Sequence, residues 1–174
     1  MESAHLVGHS LGGAVALAIA SSTPRRVRSL SLICSAGLGR EINAGYIEGF
    51  VRATTRNALK PCVAQLYADE TLVTRRLVDD LLKYKRLEGV DAALRKLADN
   101  LFPGGEQASL FRDGLASTKI PVLVIWGARD RIIPASHAEG LPGHVKVEVL
   151  PDAGHMVQME AAGAVNRLLG SFLH

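Results

Sequence analysis

Apolar and polar residues follow two rhythms along this chain, and the rhythm changes twice. At the start, the short apolar run "AHLVG" ending at Gly8 suits a strand buried on both faces. Gly12–Ala20 follows with Leu17 and Ile19 among alanines, a helix packed close to a sheet, and Ser21–Pro24 stops it because proline cannot continue the turn. "VRSLSLICSAG" at Val27–Gly37 alternates and turns on glycine, which predicts a second strand. "IPVLVIWGARD" at Ile120–Asp130 is nearly continuous in apolar residues, as expected of a strand covered on both faces. "VKVEVLPDAGH" at Val145–His155 predicts a fourth strand. A closing helix runs over Met159–Leu173, with Val165, Leu168, Leu169 and Phe172 at helical spacing.

The stretch from Arg40 to Ser117 has almost no strand signal. Thr74 caps a helix whose apolar positions are Leu77, Val78, Leu81 and Leu82. Val90, Leu94, Leu97 and Leu101 lie at intervals of 4, 3 and 4, one stripe of another helix. Ile47, Phe50 and Val51 predict an earlier one, and Pro61 starts or kinks a further segment, "PCVAQLYA". "PGGEQ" at Pro103–Gln107 is a loop that returns the chain to the sheet. The expected organisation is therefore α/β: a strand–helix–strand unit over 1–39, a helical insert over 40–117, and a second strand-bearing unit over 118–174. Alternating strands and helices imply parallel pairing, with about four strands and flanking helices. In such sheets ligands bind at the carboxyl ends of the strands.

Composition narrows the picture. A chain of 174 residues with 48% hydrophobic content builds one substantial core. A net charge of +3 with scattered basic residues, and 5% aromatics, gives no surface for nucleic acid. Arg75, Arg76, Lys83, Lys85 and Arg86 read as a solvated helix face. The two cysteines, Cys34 and Cys62, lie far apart and read as buried thiols in a reducing compartment. The Ala14–Ala20 run is too short to span a membrane, and nothing at the start resembles a signal peptide, so the expected location is the cytoplasm.

The chemistry sits at predicted strand ends. Gly8-His9-Ser10-Leu11-Gly12 fits G-x-S-x-G between a strand and a helix. There the serine occupies a strained turn and the flanking glycines remove Cβ atoms that would clash. The Leu11 amide, free at the helix start, is an oxyanion donor. A phosphate loop is excluded: Gly8 and Gly13 have the spacing, but Ala14 and Val15 stand where lysine and serine or threonine are needed. A serine nucleophile needs a base and an orienting acid. Asp130 ends the third strand and His155 the fourth, in the chain order Ser, Asp, His. Asp152 is a rival acid but lies in the same loop as His155, and Glu160 reads as a first-turn helix residue. His9 is expected to pack or line a rim with its side chain turned away. His5, His137, His144 and His174 have no partner pattern, and no metal constellation is expected.

"HLVGHSLGGAVALA", "PVLVIWGARDRIIP" and "LPDAGHMVQMEAA" resemble the alpha/beta-hydrolase fold superfamily over nearly the whole chain. Within the insert, "SAGLGREINAGYIEGFV" and "LVTRRLVDDLLKYKRLEGVDAALRKL" look like the hydrolase-like C-terminal domain of the dihydrolipoamide acetyltransferase component of acetoin dehydrogenase complexes. The resemblance implies an acyl-transfer enzyme with Ser10, Asp130 and His155 as its triad, and the helical insert as its cap. It implies a small acyl ester or thioester as substrate, with coenzyme A and lipoyl groups as reactants and no covalently held cofactor, and it implies partners in a multienzyme complex. An esterase or thioesterase is the alternative, and an interaction module without catalysis is a third reading. The resemblance covers the C-terminal half of that fold. It leaves the strand before Ser10 with an open edge, an expected route to a homo-oligomer.

Overall fold

The structure, a computed structural model, describes residues 2–174. Its strands are β1 (Ala4–His9), β2 (Val27–Ile33), β3 (Val122–Gly127) and β4 (Val145–Leu150), all parallel and in the order β1-β2-β3-β4. Helix α1 (Leu11–Ser22) connects β1 to β2. Between β2 and β3 come α2 (Ala44–Arg52), α3 (Arg56–Ala64), α4 (Arg75–Lys85), α5 (Val90–Leu101) and α6 (Arg112–Ser117). After β4, α7 (Val157–Glu160) and α8 (Ala162–Leu173) close the chain. No helix among the described residues is long and apolar enough to cross a membrane.

The core of the sheet follows from its two apolar central strands. Every residue of β3 is buried, and Val124, Ile125 and Trp126 have no exposed surface. Burying each such side chain contributes about 1.5–3 kcal/mol. Trp126 keeps its polar atom satisfied by donating Nε1–H to the Ile133 carbonyl at 3.1 Å. Register brings the strand ends level: His9 lies opposite Ile33, Ile33 is two residues beyond the Ser31–Leu123 pair, and Gly127 lies opposite Leu150. The loops after β1, β2, β3 and β4 therefore emerge along one edge, which is what gathers the site.

The insert has a second apolar cluster of its own, built from Leu59, Val63, Tyr67, Val73, Val78 and Leu82. Leu66 packs against both clusters and joins the insert to the sheet. Thr74 caps α4 by accepting from the Leu77 amide at 3.2 Å. Three details differ from the sequence expectation. Pro61 lies inside α3, which begins five residues earlier because Thr55 caps it, accepting from the Ala58 amide. Lys85 is only 8% exposed: its ammonium donates to the Phe50 and Val51 carbonyls at 2.8 and 3.3 Å, at the C-terminal end of α2, where positive charge is favoured. The stripe Leu94–Leu97 of α5 is not core; no residue of that helix is fully buried, because the stripe faces a cavity.

Candidate active site

Ser10 stands at φ 53°, ψ −122°, a conformation L-residues rarely adopt. The elbow is pinned on both sides. Its amide donates to the Ile33 carbonyl at 2.9 Å, and its own carbonyl accepts from the Gly13 and Ala36 amides at 2.9 and 3.0 Å. Two glycines make this approach sterically possible. A Cβ on Gly8 would lie 2.6 Å from the Gly12 carbonyl carbon, and one on Gly13 would lie 2.7 Å from the Ser35 Cβ. Gly12 differs from the sequence expectation, since a Cβ there would meet nothing within 4 Å. The close approach to β2 falls one residue later than the motif suggests. Leu11 opens α1, so its amide has no acceptor within the helix.

Asp130 sits in the turn after β3. Its Oδ1 accepts from the Ile132 and Ile133 amides at 2.8 and 3.0 Å, which fixes the carboxylate plane. Its Oδ2 accepts from Nδ1–H of His155 at 2.8 Å. The carboxylate is 0% exposed and the imidazole 3%, so the pair is shielded from water. With Nδ1 protonated, Nε2 of His155 is left as the acceptor for the Ser10 hydroxyl at 2.9 Å. The structure thus brings Ser10, Asp130 and His155 into one hydrogen-bonded chain. Asp152 is not part of it: it is turned outward to Arg129 at 2.8 Å and is 82% exposed.

Three further side chains support this line, His9 from a variable position of the motif and two from outside it. His9 does not point away. Its Nε2–H donates to the His155 carbonyl at 2.8 Å, and the two rings lie 4.9 Å apart. Burial holds the His9 imidazole below its ordinary pKa, so it packs as the neutral form. Glu160 lies in the first turn of α7, as expected, but its carboxylate is engaged elsewhere. Its Oε2 accepts from the Gly154 amide at 2.7 Å, and its Oε1 from the Ala68 and Asp69 amides at 2.7 and 3.1 Å. It therefore ties the insert to the residue preceding His155. Arg131 does the same for the acid loop, donating to the Ala64 and Tyr67 carbonyls at 2.8 and 2.7 Å. No period or spacing marks these contacts; only the acidic and basic types beside His155 and Asp130 hinted at them.

Cys34 is fully buried and has a positive φ of 42°. Its Sγ, an Asp130 carboxylate oxygen and a His155 ring nitrogen lie within 4.8 Å of one another. Burial and the neighbouring Asp130 push the thiol far up, so it stays protonated. These three form a potential metal-donor group among the described residues, but the Asp130–His155 hydrogen bond already engages two of them. His137 also gains a partner: Nε2 meets the Glu41 carboxylate at 2.7 Å, which holds that carboxyl below the usual range. His5 bonds the Ser29 hydroxyl at 2.7 Å.

A cavity of about 230 Å³ opens against Ser10, Leu11 and His155. Its walls come from α2, α5 and the loop holding Ile132 and Ile133, and Tyr46 is the one polar side chain that lines it besides Ser10 and His155. The arrangement sets a hydroxyl, an imidazole and a buried carboxylate in one hydrogen-bonded line, with a helix-start amide and an apolar chamber beside the hydroxyl.

The family profile described as alpha/beta hydrolase fold matches residues 2–162. The chain is 57% identical over 170 residues to the dihydrolipoyllysine-residue acetyltransferase component of the acetoin cleaving system of Pseudomonas putida, covering 98% of this chain and 45% of that protein. It is 50% identical over 173 residues to the component of the same name from Cupriavidus necator, covering 99% of this chain and 46% of the relative. The chain thus spans about half the length of these relatives. In fold, the meta-cleavage product hydrolase from Pseudomonas fluorescens IP01 superposes with a TM-score of 0.86 at 22% identity, over 99% of this chain and 65% of that one.

Proposed function

The chain belongs to the alpha/beta-hydrolase fold family, and from that premise we propose that it is the acyl-transferring part of an acetoin-cleaving acetyltransferase component, with Ser10 as nucleophile, His155 as base and Asp130 as its orienting acid. The observation that carries this reading is the continuous relay from Ser10 Oγ through His155 to Asp130, at 2.9 and 2.8 Å. In the reaction, Ser10 Oγ attacks the acyl carbonyl of an ester or thioester while its proton passes to His155 Nε2. Asp130 stabilises the imidazolium, and the Leu11 amide faces the oxyanion. As the intermediate collapses, the Nε2 proton goes to the departing thiol or alcohol, leaving an acyl-Ser10. An incoming thiol, such as that of coenzyme A, then gives its proton to His155 Nε2 and takes the acyl group, and as the acyl–Oγ bond breaks His155 returns that proton to Ser10 Oγ. Water at the same step makes the chain an esterase or thioesterase.

The names of the two relatives support membership of a multienzyme assembly. Self-association is the second proposed contact. Val7, Val15 and Ile19 are 48, 53 and 41% exposed beside the open edge of β1. Labelling with a fluorophosphonate tests the chemistry. The expected adduct is on Ser10 and disappears in Ser10→Ala and in His155→Ala; labelling that survives either change refutes the assignment.

A further inference from the structure

We propose that the cleft at the end of the sheet opposite Ser10 is a docking site for an extended acidic segment of a partner protein, one carrying carboxylates around an apolar side chain. The cleft measures about 600 Å³. It exists because the strands start unevenly. Strand β2 begins at Val27, but its first pair with β3 is Leu30 with Val122, so Val27–Ser29 stand ahead of that ladder. Pro121 has no amide hydrogen and closes the ladder, its carbonyl accepting from the Leu30 amide at 2.9 Å. The sheet therefore opens at this end, between the C-terminal ends of α1 and α6. Among the lining residues Val27 and Ile120 are buried, and Pro24 and Pro121 stiffen the backbone.

Charge decides the occupant. Arg25, Arg28 and Lys119 line the cleft, and no carboxylate does. All three are exposed, and none is in an ion pair among the described residues. Arg28 is held through one nitrogen, its Nε donating to Ser3 Oγ at 2.8 Å. Cations beside a helix C-terminus commonly serve the last carbonyls. Here those carbonyls have other partners. Ala18 and Ile19 of α1 accept from Ser22 Oγ and Thr23 Oγ1 at 2.8 and 3.0 Å, and Gly114 of α6 accepts from Ser117 Oγ at 3.3 Å. The large cleft between α2 and α5 differs, because its cations are balanced: Arg52 meets Glu48 at 2.7 Å and Arg95 meets Asp91 at 2.9 Å. Three like charges without a counter-charge repel one another, and an incoming carboxylate relieves that repulsion. An extended segment turns alternate side chains to opposite faces, so one apolar side chain meets Val27 and Ile120 while its neighbours, turned to the rim, reach the cations. No aromatic side chain lines the cleft to stack a base, which separates it from a nucleic-acid groove.

The test is fluorescence anisotropy of a labelled peptide, Glu-Glu-Leu-Glu-Glu, with the full chain. The expected binding saturates below about 1 mM and weakens about tenfold between about 0.05 and 0.5 M salt, as the screening length contracts to a few ångströms. Arg25→Ala, Arg28→Ala and Lys119→Ala together should weaken it by about tenfold or more, and Lys119→Glu alone by about fivefold. An unchanged melting temperature in either variant separates loss of the site from loss of the fold. Arg75→Ala with Arg76→Ala, which removes the same kind of charge from α4, should change the affinity less than about twofold. Gln-Gln-Leu-Gln-Gln should not bind. Absence of saturable binding, equal weakening by the α4 pair, survival of binding in Lys119→Glu, or tighter binding of a single-stranded oligonucleotide than of the peptide overturns the proposal. None of these readouts depends on Ser10, so the acyl-transfer reading stands or falls separately.

Discussion

Glu160 offers the sharpest test of how the insert and the chemistry depend on each other. Its carboxylate accepts three backbone amides, one from Gly154 on the His155 loop and two from Ala68 and Asp69 in the insert. Glu160→Gln keeps the shape but has one acceptor atom. If the amide oxygen stays on the two insert amides, the NH2 group faces the Gly154 N–H, donor against donor. One charge-assisted hydrogen bond is lost, worth about 1.5–3 kcal/mol, and a part-buried amide is left without an acceptor. Allowing for partial exposure, the cost is about 3 kcal/mol, which lowers the melting temperature of a chain this size by about 6–12 °C. The effect on chemistry is separate, because Gly154 carries His155. A displacement of the imidazole by about 1 Å slows a positioned reaction roughly a hundredfold. Fluorophosphonate labelling of Ser10, measured well below the variant's melting temperature, reads the second effect; calorimetry reads the first. A variant that melts within a degree of the parent and labels at the parental rate refutes the tether.

Other predictions follow from the same geometry. Asp130→Asn should keep its oxygen on the Ile132 and Ile133 amides and present NH2 to His155 Nδ1, moving the imidazole proton to Nε2; Ser10 labelling should drop about 10⁴-fold, and a loss under tenfold refutes the relay. His9 has a depressed folded-state pKa, so its contribution to stability is complete above 6.5 and is lost as pH falls through the lower folded value. Urea midpoints should decline on acidification, less steeply in His9→Gln; identical profiles for the two proteins count against this. Both thiols are buried and held above their ordinary pKa, so a chromogenic disulfide should react with Cys34 and Cys62 only after unfolding, and fast native-state reaction contradicts their placement. Val15→Lys with Ile19→Lys should convert a self-associated species to monomer in sedimentation, whereas a parent that is monomeric at high micromolar concentration removes the proposed contact.

Much of the fold is legible in the sequence because its signals are local. Four apolar segments bounded by glycine and proline read as strands, and the shift to 3.6-residue spacing after Arg40 marks the insert. The Ser10 elbow is legible too, since its turn depends on residues next to one another. Asp130 and His155 could be nominated only through the order of strand ends, and that they meet at 2.8 Å is a property of register in the folded sheet. Local patterns along the chain dictate the set of elements, the sheet edge at which Ser10, Asp130 and His155 fall and the residue types available there. The tertiary structure alone decided that His9 turns inward onto His155, that Glu160 and Arg131 lash the insert to the two loops, that Lys85 is buried against α2, and that the α5 stripe lines a cavity. Each of these contacts joins residues far apart in the chain. Periodicity reports which face of an element is apolar, but not whether that face meets another side chain or an empty space.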